Sequence, residues 1–171
     1  MVAGQRILAY LAIAASGVFA VSAWAQQQIV VVAAPWATAT VAGQTSGAAY
    51  MELTAAEDAA LVGVASPLAA VAEVHEMVMD NGVMKMRARP RLDLPAGKPF
   101  ALRPGSYHIM LMELKQPLRK GAVLPLTLKV EGRDGKTRLI EVNVEVRSLG
   151  DSGSAGSSSA ASSEHMHHHM H

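Results

Sequence analysis

From Leu126 to Arg147 the apolar side chains fall on every second residue. Leu126, Leu128 and Val130 precede Arg133-Asp134-Gly135, and Ile140, Val142, Val144 and Val146 follow it, alternating with Glu141, Asn143, Glu145 and Arg147. A period of two places every apolar member on one face of an extended chain, and a turn between two such runs makes a hairpin with one buried face. No stretch between Gln27 and Ser148 holds a helical period for more than a few residues. Further runs at Ile29–Ala33, Ala48–Thr54, Leu61–Ser66, Ala72–Met79, Val83–Arg89, Pro99–Leu102 and Tyr107–Leu114 read as strands bounded by turn residues. Ala55–Ala60 is too short to nucleate a helix alone and reads as a loop. About nine short strands predict an all-β sandwich.

The two ends differ from this middle. Arg6, the apolar run Ile7–Val21 and Ala23-Trp24-Ala25 have the charged, apolar and small-x-small order of a signal peptide over residues 1–25, with cleavage before Gln26. An uncleaved anchor is the alternative, because the apolar run approaches the length of a membrane span. Without a cysteine after that run, lipid anchoring is not expected, and without any cysteine the exported domain, residues 26–149, must hold together by core burial alone. Residues 150–163 are almost wholly Gly, Ser and Ala and read as a flexible linker to a disordered tail. Residues 164–171 end in His165, Met166, His167, His168, His169, Met170 and His171. A purification tag is normally an unbroken histidine run, so the interspersed methionines favour a native metal-binding tail.

Sulfur use is lopsided, with ten methionines and no cysteine. Strand parity places His75, Met77 and Met79 on one face, and Met84 and Met86 together on another short run. A two-residue turn at Asn81-Gly82 then sets Met79 opposite Met84 and Met77 opposite Met86, with His75 diagonal to Met86. The same parity groups His108, Met110 and Met112. Any single methionine in such a pattern is most simply a filler of irregular gaps. Two His-x-Met strands in one small domain point instead to a soft-metal site, because imidazole and thioether together suit Cu(I) better than Zn(II). Trp36, beside Pro35, reads as a packing anchor and not as a ligand.

His75, ten residues, Met86, twenty-one residues, His108, one residue, Met110: this spacing resembles that of the periplasmic copper chaperones usually called PCu(A)C. The resemblance extends to Pro35-Trp36-Ala37, Gly47-Ala48-Ala49-Tyr50-Met51, Met84-Lys85-Met86-Arg87, Leu102-Arg103-Pro104-Gly105-Ser106-Tyr107-His108 and Leu124-Pro125-Leu126-Thr127-Leu128, and so covers essentially the whole domain. It implies a cupredoxin-like sandwich in which His75, Met86, His108 and Met110 hold one Cu(I) near the surface. Met77, Met79, Met84 and Met112 are then either a secondary thioether cluster or lining. The tail's imidazoles suit the tetragonal nitrogen geometry of Cu(II), and a linker of about fourteen residues reaches roughly 20 Å, enough to bring the tail back over the core site.

Function classes narrow accordingly. Fifteen Lys and Arg against fourteen Asp and Glu leave no basic stripe for nucleic acid. A blue-copper electron carrier needs a cysteine thiolate, and a histidine-brace oxygenase needs an N-terminal histidine where cleavage would leave Gln26. No acid, base or nucleophile constellation suggests an enzyme. The expectation is a monomeric periplasmic metallochaperone, with no stable membrane insertion once its leader is removed. What the resemblance implies as acceptor is the Cu(A)-bearing subunit of a haem-copper oxidase, with another copper chaperone as a further partner. A copper scavenger or buffer without a delivery role is the alternative.

Overall fold

The structure is a computed structural model, and it describes residues 28–148. The expected leader, linker and His/Met tail lie outside these residues. Ten strands and no helix make up the described chain: β1 (Val30–Thr38), β2 (Gly47–Ala55), β3 (Ala59–Ala65), β4 (Ala69–Asp80), β5 (Val83–Ala88), β6 (Leu92–Leu94), β7 (Pro99–Leu102), β8 (Tyr107–Leu114), β9 (Val123–Gly132) and β10 (Thr137–Arg147).

One hydrogen-bonded path runs β5-β4-β8-β2-β1-β10-β9-β3-β6, with β7 on β2. Strands β3 and β4 are joined by only Ser66-Pro67-Leu68, yet they lie in opposite halves of that path. Such a link is possible only if the path rolls over on itself, and the two halves then close on one core. That core takes Ile109 and Leu111 from β8, Leu53 from β2, Leu61 from β3, and Leu124, Leu126, Leu128, Val144 and Val146 from the β9–β10 hairpin. The alternation read in the sequence is the observed register, with Leu128 opposite Ile140, Leu126 opposite Val142 and Leu124 opposite Val144. The architecture is therefore the expected all-β, cupredoxin-like fold.

Two departures have local causes. Leu92-Asp93-Leu94 adds β6, a strand too short for its period to register, although Leu92 and Leu94 are buried against β3. Strand β1 also continues past Pro35 to Thr38, where the missing N–H would ordinarily end a strand. A bulge absorbs the proline: the pairing of β1 with β2 shifts between Ala33 and Trp36, and Ala34 takes a φ of 45°. The extra residue brings Trp36 directly opposite Tyr50.

The β4–β5 turn is the one expected. Asn81 and Gly82 have φ of 51° and 78°, the double left-handed pair of a type I′ loop, and Asp80 faces Val83 across it. Replacing Gly82 by valine puts a β-branched side chain in that left-handed position at a cost of about 1–2 kcal/mol. Amide hydrogen exchange in β5 is expected to accelerate about 5–30-fold, while amides of β9 and β10 keep wild-type rates because the hairpin opens locally.

Candidate metal centre

The inner faces of β4 and β8 fix what their outer faces present. Val74 lies opposite Ile109 and both are buried in the core. Each neighbouring residue must then point outward, and His75 comes directly opposite His108. Their ring centroids are 6.0 Å apart. On the same outer face Met110 follows His108 along β8, opposite Glu73, while Met77 follows His75 along β4, opposite Met86 on β5. Ala88, opposite His75 on β5, adds little bulk beside the imidazole.

The structure therefore sets His75, His108, Met110, Met77 and Met86 on one face, with Met110 one rung to the side of the histidine pair away from the turn, Met77 and Met86 one rung toward the turn, and Met79 and Met84 forming the next cross-strand pair. Met79–Met84 and Met77–Met86 pair as the two-residue turn requires. Met112 lies one rung further out than Met110 on the same side. It lies opposite Val71, four residues before His75 on β4, and so on the side of the histidine pair away from the hairpin tip.

Each imidazole is held by one nitrogen. His108 is only 5% exposed, and its Nδ1 lies 3.2 Å from the carbonyl oxygen of Ser106. A carbonyl only accepts, so Nδ1 carries the proton and the Nε2 lone pair is free to bind a metal. His75 has the opposite arrangement, with Nε2 3.1 Å from Oε2 of Glu73 and a buried Nδ1 that has no hydrogen-bond partner. A buried polar atom without a partner is costly, and a metal ion is one way to satisfy it. A carboxylate or carbonyl on one ring nitrogen is the kind of acceptor that orients a histidine toward a metal.

No group of three or more His, Cys, Asp or Glu capable of holding a metal occurs among the described residues. Beside the two imidazoles this face offers the thioethers of Met110, Met77 and Met86 and the Glu73 carboxylate already engaged by His75, a sulfur-rich donor set that suits a soft monovalent ion. Exposure is graded across the site: His108 is buried, Met110 and Met77 are half-buried, and Met86 is 47% exposed.

An aromatic row continues the site across the sheet. Trp36 stacks on Tyr50 with centroids 4.4 Å apart, and Tyr50 lies 6.4 Å from His108. The rings cover Tyr50 and shield the β2 side of His108, and burial raises the Tyr50 hydroxyl above its ordinary pKa. Trp36 is thus a packing residue, as its sequence context suggests, but it packs on the face of the site. Nothing local in the sequence reveals this, because the placement depends on the bulge at Ala34.

Behind the site, the other face of the hairpin carries ion pairs beside Val78 and Val83. Asp80 accepts hydrogen bonds from Lys85 at 2.8 Å and Arg87 at 3.1 Å. Glu76 is bound by Tyr107 and Arg89, and those hydrogen bonds, Tyr107 first, hold its carboxyl below the usual glutamate range. A depressed folded-state pKa stabilises the fold above the unfolded value of 4.5, and that contribution disappears as pH falls through the lower folded value. Glu76→Gln is expected to melt below wild type at neutral pH, with the two curves converging in acid once Glu76 is itself protonated. Thermal midpoints measured from pH 7 to pH 3 check the sign.

Comparison with known proteins places this geometry. Among solved structures, the copper-bound PCuAC domain from PmoF2 superposes with a TM-score of 0.57 at 20% identity, covering 70% of this chain and 93% of that domain. Apo-DR1885 from Deinococcus radiodurans gives a TM-score of 0.53 at 31% identity, covering 85% and 97%. The CuI-DR1885 solution structure gives 0.52 at 34% identity, covering 73% and 84%. The fold is therefore that of the PCuAC domains. Residues 30–146 match the family described as "Putative lipoprotein LpqE-like", and the chain belongs to that LpqE-like family. A curated relative, "Putative lipoprotein Lxx21020" of Leifsonia xyli subsp. xyli, is 36% identical over 111 residues, a match spanning 64% of this chain and 66% of the relative.

Proposed function

We propose that this protein binds a single Cu(I) through His75, Met86, His108 and Met110 and passes it to an acceptor protein. The observation that carries the reading is the histidine pair. His75 and His108 face each other, and each has one nitrogen engaged by an acceptor and the other left for a metal. Support also comes from the CuI-bound state named for the 34%-identical DR1885 structure. The copper here is cargo and not a resident cofactor, and the protein is a carrier without catalytic machinery.

The ligand chemistry suits transfer. Imidazoles held by Glu73 and Ser106 supply fixed donors, while thioethers are neutral, carry no proton and survive where thiols would oxidise. Met86, the more exposed sulfur, is the ligand an incoming acceptor displaces first, leaving the ion on His75, His108 and Met110 until a second acceptor ligand arrives. The delivery target is the Cu(A)-bearing subunit of a haem-copper oxidase, reached directly or by way of another copper chaperone. The site of action is outside the cytoplasm, in the periplasm, after removal of residues 1–25. The family and the curated relative are both described as putative lipoproteins, and this sequence holds no cysteine.

Anaerobic Cu(I) titration against a competing chromophoric chelator tests the centre. The protein is expected to bind one tight equivalent that disappears in His75→Ala/His108→Ala, and a variant that keeps it refutes the assignment.

The His/Met tail favours a second reading, a copper scavenger, and its imidazoles are proposed to capture Cu(II). Deleting residues 164–171 is expected to lower Cu(II) binding and leave the tight Cu(I) equivalent unchanged. If the Cu(I) equivalent is lost with the tail, the tail is the principal binder and the scavenger reading stands. Transfer kinetics to an apo acceptor then separate delivery from buffering.

A further inference from the structure

The tip of the β4–β5 hairpin exposes thioethers that folding does not require. Met79 is 65% exposed and Met84 46%, and they face each other one rung beyond the Met77–Met86 pair. Every residue of β5 is exposed, so no core lies beneath these side chains. Methionine is not among the strong strand formers, and sheet propensity gives no reason to place four on two short paired segments. On the rear face Asp80, Lys85 and Arg87, joined in ion pairs beside Val78 and Val83, are what solvated hairpin positions ordinarily carry. The front face of the same strands carries sulfur alone from Met77 and Met86 to the turn.

Directly opposed side chains in an antiparallel pair have Cβ atoms about 4.5–5.5 Å apart, and methionine has three rotatable bonds with which to converge. Three neutral thioethers with no imidazole or carboxylate among them make a donor set for a soft d10 ion, and a poor one for Cu(II) or Zn(II). Met86 stands between this tip and His75, adjacent to Met84 along β5 and diagonal to the imidazole.

We propose that Met77, Met79 and Met84 form a second, weaker Cu(I) site made only of thioethers, which loads and unloads the His75/His108 centre by way of Met86. The proposal rests on the Cu(I) reading of that centre. Ligand exchange along the hairpin face then proceeds one sulfur at a time, and the ion need never be released as a free aquo species.

The test uses the full chain labelled with methyl-13C methionine, with methyl signals assigned by single substitutions and Cu(I) added anaerobically past one equivalent. The first equivalent is expected to shift the ring signals of His75 and His108, and the next to shift the methyls of Met79 and Met84. Met79→Leu/Met84→Leu conserves volume and is expected to keep the first equivalent, lose the second on the hairpin, and slow Cu(I) uptake from a chelator. Histidine signals that move while Met79 and Met84 stay fixed through excess Cu(I) overturn the tip site and leave the centre standing. Histidine signals that stay fixed overturn the centre, and the relay with it, whatever the methionines do.

Discussion

The burial of Val74 against Ile109 is the constraint from which the site follows. Side chains alternate across a strand, so a one-residue slip between β4 and β8 would turn their apolar set to solvent and the opposite set into the core. With Val74, Ile109 and Leu111 all buried, that slip is strongly disfavoured. The same register leaves His75 opposite His108 on the outside, with Met110 two residues further along β8. No interaction between the histidines is needed to bring them together. The histidine pair is positioned by hydrophobic burial on the other side of the strands, so nothing that binds there need order the two strands first.

Most of the hairpin half of the site is legible in the sequence because its determinants are local. Asn81-Gly82 dictates a two-residue turn, the turn dictates register, and register dictates that Met79 meets Met84 and Met77 meets Met86. The β9–β10 pairing is legible for the same reason. The meeting of His75 with His108 is different in kind. It joins residues 33 positions apart, and the period of each strand says only which face each histidine occupies. The resemblance in ligand spacing supplies that link, since periodicity cannot. Met112 illustrates the limit: it shares parity with His108 and Met110, but antiparallel pairing carries it away from the hairpin, opposite Val71. Parity identifies a face and says nothing about distance along it.

What stayed hidden depends on irregularity or on atoms instead of residues. The bulge at Ala34 shifts β1 by one residue and so turns Trp36 onto the face of Tyr50 and His108. Proline at position 35 signals an interruption, but an interruption absorbed by a bulge and one that ends the strand look alike in sequence. The choice of free nitrogen is equally invisible. It follows from Glu73 engaging one ring and the Ser106 carbonyl the other, so the two histidines leave different nitrogens without a partner, Nδ1 and Nε2. Two like residues in similar His-x-Met contexts are thus not equivalent donors.

The β4–β5 hairpin combines two surfaces that would ordinarily conflict. An exposed edge strand with an apolar face is a template for unwanted pairing. Here β5 is a free edge with Met84 and Met86 on one face, while Lys85 and Arg87 on the other face bind Asp80. Surface ion pairs of this kind contribute little to stability individually, so their importance lies elsewhere. Cationic side chains at alternate positions along an edge oppose strand addition and keep the thioether face presentable to solvent. The proposed soft-metal role needs sulfur that is exposed and exchangeable, and an edge strand needs charge. Strand alternation lets six residues meet both demands, one on each side of the same backbone.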